Sequence, residues 1–313
     1  MKRVVVTGAT SMLGVALISE LLEKDIEVYA VVRCQSNKID RLPVSRFLEI
    51  VYCDIDNYKE LPDLIHLSCD TFYNMAWQAT GSPDMRNSQI EAQSRNIIYS
   101  LDAVTAAKEL GCRKFIGAGS QAEYGLLNLD RISPESPCNP IQPYGIAKYA
   151  AGKLVQAKAE QLGIDCFWVR IFSVYGEHDR PGSLVSSTIH KLMNSEMTSF
   201  TPAEQRWDFL NERDAGAALY AIGEHSNGNK IYCLGSGKAR LLKEYIEEIR
   251  DCSGVDAELG FGKEQYRPNC VMNLCADVST LTSDTGWTPK ISFHEGIMRI
   301  VEHMKENEDV AKR

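Results

Sequence analysis

Tyr144 and Lys148 sit four apart in the stretch Pro143-Tyr-Gly-Ile-Ala-Lys148. Proline opens helices readily, and residues four apart share a helical face. A lysine ammonium near a phenol favours the phenolate, so Lys148 is expected to lower the Tyr144 pKa towards the working range of a general acid or base. Taken alone, such a pair equally suits the surface of an amphipathic helix. Its company decides. Upstream, Lys114-Phe-Ile-Gly-Ala-Gly-Ser120 reads as a strand ending in a hydroxyl, followed by Gln-Ala-Glu-Tyr-Gly125. Ser120 there can hydrogen-bond a substrate carbonyl or hydroxyl beside the tyrosine. Ser120, Tyr144 and Lys148 are the expected catalytic residues.

The elements that must position them alternate. Strands are expected at 4–7, 27–32, 48–53, 71–76, 114–117 and 166–172. Between them lie helical patterns at 14–24, 94–110 and 144–162, with a shorter one near 58–66. Such alternation argues a parallel sheet covered by helices on both faces, with ligands at the carboxyl ends of its strands. Gly8, Arg33, Asp54, Ala76 and Ser120 fall at those ends. The first strand leads into Thr7-Gly-Ala-Thr-Ser-Met-Leu-Gly14, which opens a helix whose Val15, Ile18 and Leu22 share a face. Strand, glycine turn and helix make the layout of a dinucleotide-binding fingerprint. Ser11 takes the middle place, where a third glycine would let the backbone approach a pyrophosphate. Its hydroxyl is expected to bond that phosphate, aided by the helix N-terminus.

After Gly176 the pattern weakens. Residues 177–182 read as a loop, a helix follows near 184–194, a strand returns at 231–234, and another helix runs through Arg250. The expected division is a dinucleotide-binding domain over 1–176, rejoined by the strand near 230–234, and a smaller, interleaved substrate-binding region over 177–313.

These sites, in this order, resemble the extended short-chain dehydrogenases/reductases, and within them the NAD(P)-dependent epimerase/dehydratase family that modifies nucleotide sugars. The resemblance spans essentially the whole chain. It implies an α/β fold of Rossmann type, with a doubly wound parallel sheet. It assigns cofactor contacts to Gly8, Thr10, Ser11, Met12, Leu13, Gly14, Arg33, Asp54, Ile55 and Ala76, together with Tyr144 and Lys148. Asp54 resembles the residue that contacts the adenine amine, and Asn96 the asparagine behind the active site. Substrate contacts are expected from Ser120, Ser173, Arg206 and Arg267, the two arginines gripping a diphosphate. Met75 and Trp77 would line the cofactor pocket, and Arg86, in the loop beyond, lies within reach of substrate. The same resemblance implies a homodimer through the helices near 94–110 and 144–162.

Two departures bear on the reaction. Relatives usually carry asparagine where this chain has Ser173. Relatives that dehydrate sugars carry an Asp-Glu pair after the catalytic hydroxyl, where this chain has Gln121 and Ala122. Glu123 is shifted by one place and, on extended backbone, would face away. Dehydration is disfavoured. The second strand ends in Arg33 with Ser36, Asn37 and Lys38 behind it, not in the acidic residue that bonds the ribose 2′-hydroxyl of NAD. NADP(H) is therefore the expected cofactor, with NAD(H) as the alternative. The favoured reading is reduction of an NDP-4-keto-6-deoxyhexose. A 4-epimerase holding NAD uses the same residues. A non-catalytic nicotinamide sensor is the third reading, although such relatives typically lose the tyrosine or the lysine.

Totals exclude other classes. The chain has 313 residues, a formal charge of −8 and no Lys/Arg block, which argues against nucleic-acid binding. Its 10 cysteines form no Cys-x-x-Cys pair and its 6 histidines no cluster with them, so no metal site is expected. With no signal-like N-terminus and no spanning apolar run, the expectation is a cytoplasmic protein with reduced thiols and no membrane contact.

Overall fold

The computed structural model describes residues 1–311. In chain order the strands are β1 (Arg3–Thr7), β2 (Glu27–Val32), β3 (Leu48–Tyr52), β4 (Thr71–Asn74), β5 (Lys114–Ser120), β6 (Asp165–Ile171), β7 (Ser173–Tyr175), β8 (Arg206–Asn211), β9 (Lys230–Leu234), β10 (Ala239–Leu241) and β11 (Asn273–Leu274). The helices are α1 (Met12–Leu22), α2 (Leu61–Leu64), α3 (Pro83–Ser88), α4 (Ile90–Glu109), α5 (Pro143–Leu162), α6 (Leu184–Met193), α7 (Glu212–His225), α8 (Leu242–Ser253), α9 (Ser279–Thr285) and α10 (Phe293–Ala311).

The central strand shows why the main sheet forms. The Val4, Val5 and Val6 side chains of β1 are all fully buried, as a parallel strand covered on both faces requires. Val4 and Val6 pack with Leu17 and Leu21 of α1 and with Ala215, Ala218 and Leu219 of α7. Val5 faces the other way, among Ala103 and Ala107 of α4 and Ala151 and Val155 of α5. The result is a seven-stranded, all-parallel sheet of order β3-β2-β1-β4-β5-β6-β9, doubly wound as expected. The strand order reverses between β1 and β4, which opens a crevice at their carboxyl ends.

Local differences from the sequence reading have physical causes. β5 runs on to Ser120 because it pairs with β6 along its whole length, Ser120 lying opposite Ile171. The segment expected as a helix near 58–66 holds only the single turn of α2, preceded by a 3₁₀ stretch, Ile55–Glu60, in which Asn57 breaks the helical path. β9 joins the edge of the large sheet, at the strand read near 230–234, and α7, also from beyond Gly176 and not included in the sequence reading, packs on its face.

The second sheet is built around β8, which pairs with β7 in parallel, β10 antiparallel and β11 in parallel. The side chains Phe209, Tyr175, Tyr245 and Phe293 form one aromatic cluster beside it, with ring centres 4.5–6.1 Å apart. Asp208, fully buried, ties this sheet to its loops by accepting from the Ser236, Gly237 and Ala276 backbone N–H groups. Among the described residues, no helix is long and apolar enough to cross a membrane, and no three His, Cys, Asp or Glu side chains converge to hold a metal ion.

Candidate active site

Two clefts meet above the carboxyl edge of the large sheet. The first, about 700 Å³, is lined by Gly8, Thr10, Ser11 and Met12, by Arg33, Lys38 and Arg41, and by Ile55 and Ala76. The second, about 690 Å³, holds Ser120, Tyr144 and Lys148. Met75, Trp77, Thr80, Asp179 and Arg180 line both, so they form one continuous groove.

Gly8 has a φ of 64°, and a Cβ there would stand 2.8 Å from the backbone of Met75 and Ala76. Only glycine lets β1 and β4 come this close. Ser11 also caps the helix that it opens. Its φ is −75° and ψ 160°, ordinary extended values, and its Oγ accepts the Gly14 N–H at 3.1 Å as the N-cap of α1. The middle position thus needs no glycine for conformation, and while its oxygen accepts from the helix its O–H donor stays open to the cleft that Ser11 lines. The first N–H groups of a helix have no internal partner, and a helix N-terminus favours an anion. Gly14 packs against the Gly8 carbonyl. This cradle and the cleft beyond it fit a dinucleotide.

The cleft carries three cations at the end of β2 and just beyond it, Arg33, Lys38 and Arg41. Asp179 is the one carboxylate among its lining residues. Asp54 does not line the cleft; it accepts the Cys34 N–H at 3.2 Å and fixes the end of β2. Leu13 turns into the second cleft instead.

Pro143 opens α5 in its first turn, as the sequence suggests, and brings Tyr144 and Lys148 to the end of β5. Lys148 is 3 % exposed. Its Nζ donates to the Ala118 carbonyl at 2.6 Å and lies 3.6 Å from the Trp77 ring centre. Burial lowers its pKa to about 7, against the opposing pull of Glu123. The Tyr144 phenol differs from the expectation. Burial raises its pKa, and the strongest opposing influence is the charge of Arg86, joined by Ser120. The Lys148 Nζ is 6.0 Å from the Tyr144 ring centre, whereas the Arg86 guanidinium carbon is 4.7 Å away. Arg86 stands on a short helix, α3, rather than in a loop.

Glu123 stays out of the groove, as expected, but not on extended backbone. Its backbone is a 3₁₀ turn, and the side chain folds back beneath the site. Oε1 accepts from the Ser120 N–H at 2.8 Å and Trp168 Nε1 at 2.9 Å, and Oε2 accepts from Arg170 Nε at 2.9 Å. The carboxylate and guanidinium are both buried. Glu123 thus supports Ser120 from behind and does not line the groove.

Of the substrate residues, the second cleft contains Ser120 and Ser173 but neither arginine. Arg206 opens β8 pointing to the opposite side, where it lines a separate depression with Arg131 and Lys238 and donates to the Ala239 carbonyl. Its neighbour Trp207 takes the inward place, and Trp207 Nε1 donates to Ser173 Oγ at 2.7 Å. Arg267 is largely exposed and pairs with Asp84 at 3.1 Å. The cations that do line the cleft are Lys148, Arg86 and Arg180. Arg180 donates to the Gly81 carbonyl at 2.7 Å.

Sequence reasoning passed over one organiser. Gln93, 1 % exposed, accepts from Trp77 Nε1 at 2.8 Å and donates to the Ala79 and Arg86 carbonyls. Asn96, one turn on, bonds both backbone groups of Gln78. Their spacing on one helical face is the signal that could have paired them.

Residues 4–235 match the model of the NAD dependent epimerase/dehydratase family. The dTDP-D-glucose 4,6-dehydratase of Mus musculus is 26% identical over 329 residues, covering 98% of this chain and 89% of that protein. The CDP-abequose synthase of Salmonella muenchen is 24% identical over 315 residues, covering 97% and 98%. In structure, the chain resembles the UDP-glucose 4-epimerase of Thermus thermophilus in complex with NAD, with a TM-score of 0.84 at 19% identity over 97% of this chain and 99% of that one. That last likeness is one of fold.

Proposed function

The chain belongs to the NAD dependent epimerase/dehydratase family, and from that membership we propose that it is an oxidoreductase of nucleotide sugars that reduces the 4-keto group of an NDP-4-keto-6-deoxyhexose with NADPH. The observation that carries the reading is the single groove in which a cation-rich cleft adjoins Ser120, Tyr144 and Lys148.

The residues suited to hold the cofactor are Gly8, Thr10, Ser11, Met12 and Ala76 around the cradle, Ile55 beside it, and Arg33 with Lys38 and Arg41 at the ribose end. Nicotinamide, when bound, supplies the hydride. The chain supplies the rest. Tyr144 Oη gives a proton to the oxygen of the carbon being reduced. Ser120 Oγ donates a hydrogen bond to that oxygen as charge builds on it. The Lys148 ammonium, fixed by the Ala118 carbonyl and the Trp77 face, stands ready to bond the nicotinamide ribose. The indole of Trp207 and the hydroxyl of Ser173 shape the wall where relatives place asparagine. Gln121 and Ala122 supply no carboxylate for elimination, which separates the proposal from dehydration.

A 4-epimerase holding NAD is the second reading, favoured by the NAD in the Thermus neighbour. Mass analysis of nicotinamide released on denaturing the purified protein separates the two. The expected result is an empty protein that binds NADPH more tightly than NADH, with Arg33→Ala weakening NADPH by about 10- to 100-fold and NADH much less. Stoichiometric, non-exchanging NAD would make epimerisation the function.

The outward surfaces of α4 and α5 leave Ile98, Ile146 and Leu154 about half exposed. Apolar surface on this pair of helices supports a homodimer joined through them. Sedimentation equilibrium is expected to give twice the chain mass of 35.0 kDa, and a monomer across the working concentration range would refute it.

A further inference from the structure

Arg86 is held in a way that a surface arginine is not. Its helix, α3, is capped by the Ser82 hydroxyl, which accepts the Met85 N–H. Buried Gln93 donates to the Arg86 carbonyl at 3.0 Å and binds the Trp77 indole with its other end. Asn87 of the same helix accepts the Tyr144 N–H at 3.5 Å, joining α3 to the start of α5. The guanidinium so placed lies 4.7 Å from the Tyr144 ring centre. Its Nε is buried without an acceptor, and no carboxylate pairs with it among the described residues. The Lys148 ammonium, by contrast, is committed to Ala118 and Trp77.

We propose that Arg86 is the positioning residue that readies the Tyr144 phenol to release its proton, acting from nearer the ring than the ammonium of Lys148, which is held by Ala118 and Trp77. The inference rests on the reading of Tyr144 as proton donor. A cation over the ring and near the oxygen stabilises phenolate relative to phenol. The other charges around Tyr144 are accounted for. Glu123, in the turn after β5, works against phenolate, but it is neutralised by Arg170 at 2.9 Å. Asp179 and Arg180 come from the loop after β7 and line the same cleft as an adjacent pair of opposite sign. Lys148 comes from Tyr144's own helix. Arg86 is left as the nearest unpaired cation.

The test needs no substrate. Protein carrying ring-difluorinated tyrosine, whose phenol ionises at lower pH, is titrated by fluorine NMR, with the Tyr144 resonance identified by its loss in Tyr144→Phe. Arg86→Met is expected to raise the Tyr144 midpoint by about one pH unit or more, a roughly tenfold loss of phenolate at fixed pH. Arg86→Lys, which keeps a charge, is expected to raise it less, and Lys148→Met less than Arg86→Met. An unmoved midpoint in Arg86→Met protein that still binds NADPH overturns the proposal. So does a larger rise in Lys148→Met. A purely structural role would lower the melting temperature without moving the midpoint. If Arg86→Met does not fold, Arg86→Gln gives the same comparison. Failure of the nucleotide-sugar reading would appear in substrate screens and would leave this titration unaffected.

Discussion

Tyr144→Phe is expected to lower turnover by about 10²- to 10⁴-fold while the protein goes on binding NADPH. The substitution removes one oxygen and little volume, so the packing that holds the ring is kept. Trp77 meets it edge-on at 6.2 Å and Arg86 covers its face. What goes is the proton that must reach the substrate oxygen as its carbon is reduced. Ser120 retains its hydrogen bond to that oxygen but has no comparable acid to offer. Initial rates of NADPH consumption with an NDP-4-keto-6-deoxyhexose, set beside NADPH binding titrations, check the result. Near wild-type turnover would falsify the assignment of Tyr144 as the proton donor. Loss of cofactor binding along with activity would instead show that the hydroxyl serves the nicotinamide first.

The second large effect is on stability. Glu123→Ala is expected to destabilise the protein by about 3–5 kcal/mol, because it strands a buried guanidinium. Arg170 would lose its ion partner inside the protein and keep only neutral company, the Pro134 carbonyl at its Nη1 and the Tyr124 side chain. The Trp168 indole N–H and the Ser120 N–H would lose their acceptor as well. In a chain of this length such a loss corresponds to a fall in melting temperature of roughly 10 °C. Glu123→Gln keeps an acceptor oxygen and is expected to cost less. Thermal unfolding of the two variants side by side reads the difference. Equal stability of Glu123→Ala and the parent would mean that solvent reaches Arg170.

Both residues show what sequence can and cannot say. Tyr144, Lys148 and Gly8 are legible because local geometry constrains them. A proline-led helix fixes the spacing of the first two, and a strand–turn–helix needs the third. Glu123 is harder to read. Its neighbours do not reveal that the chain turns tightly after Ser120, and one residue of turn converts a side chain pointing away into the support beneath the site. The β8 arginine misleads for a related reason. A strand alternates faces, so Arg206 and Trp207 must point oppositely, but the sequence does not say which is inward. That is settled by which face packs against Ser173 and the aromatic cluster. Arg86 acquires its place from α3, Gln93 and α5 together, and no local pattern contains that tertiary agreement. Ser11 is visible as a substitution, but its use as a helix cap depends on backbone angles.

The return of α7 and β9 to the large sheet has a consequence for how the protein is made. α7 covers one face of β1 together with α1, and β9 closes the edge beside β6. A ribosome that has released the first half of the chain has therefore delivered a sheet with a bare face and an open edge. Such pairings join residues far apart in sequence and form late. Until residue 234 has emerged, the nascent chain exposes the apolar surfaces that invite aggregation. Chaperone engagement is expected to concentrate in that interval, and cutting the chain near residue 176 for expression is expected to yield an insoluble fragment.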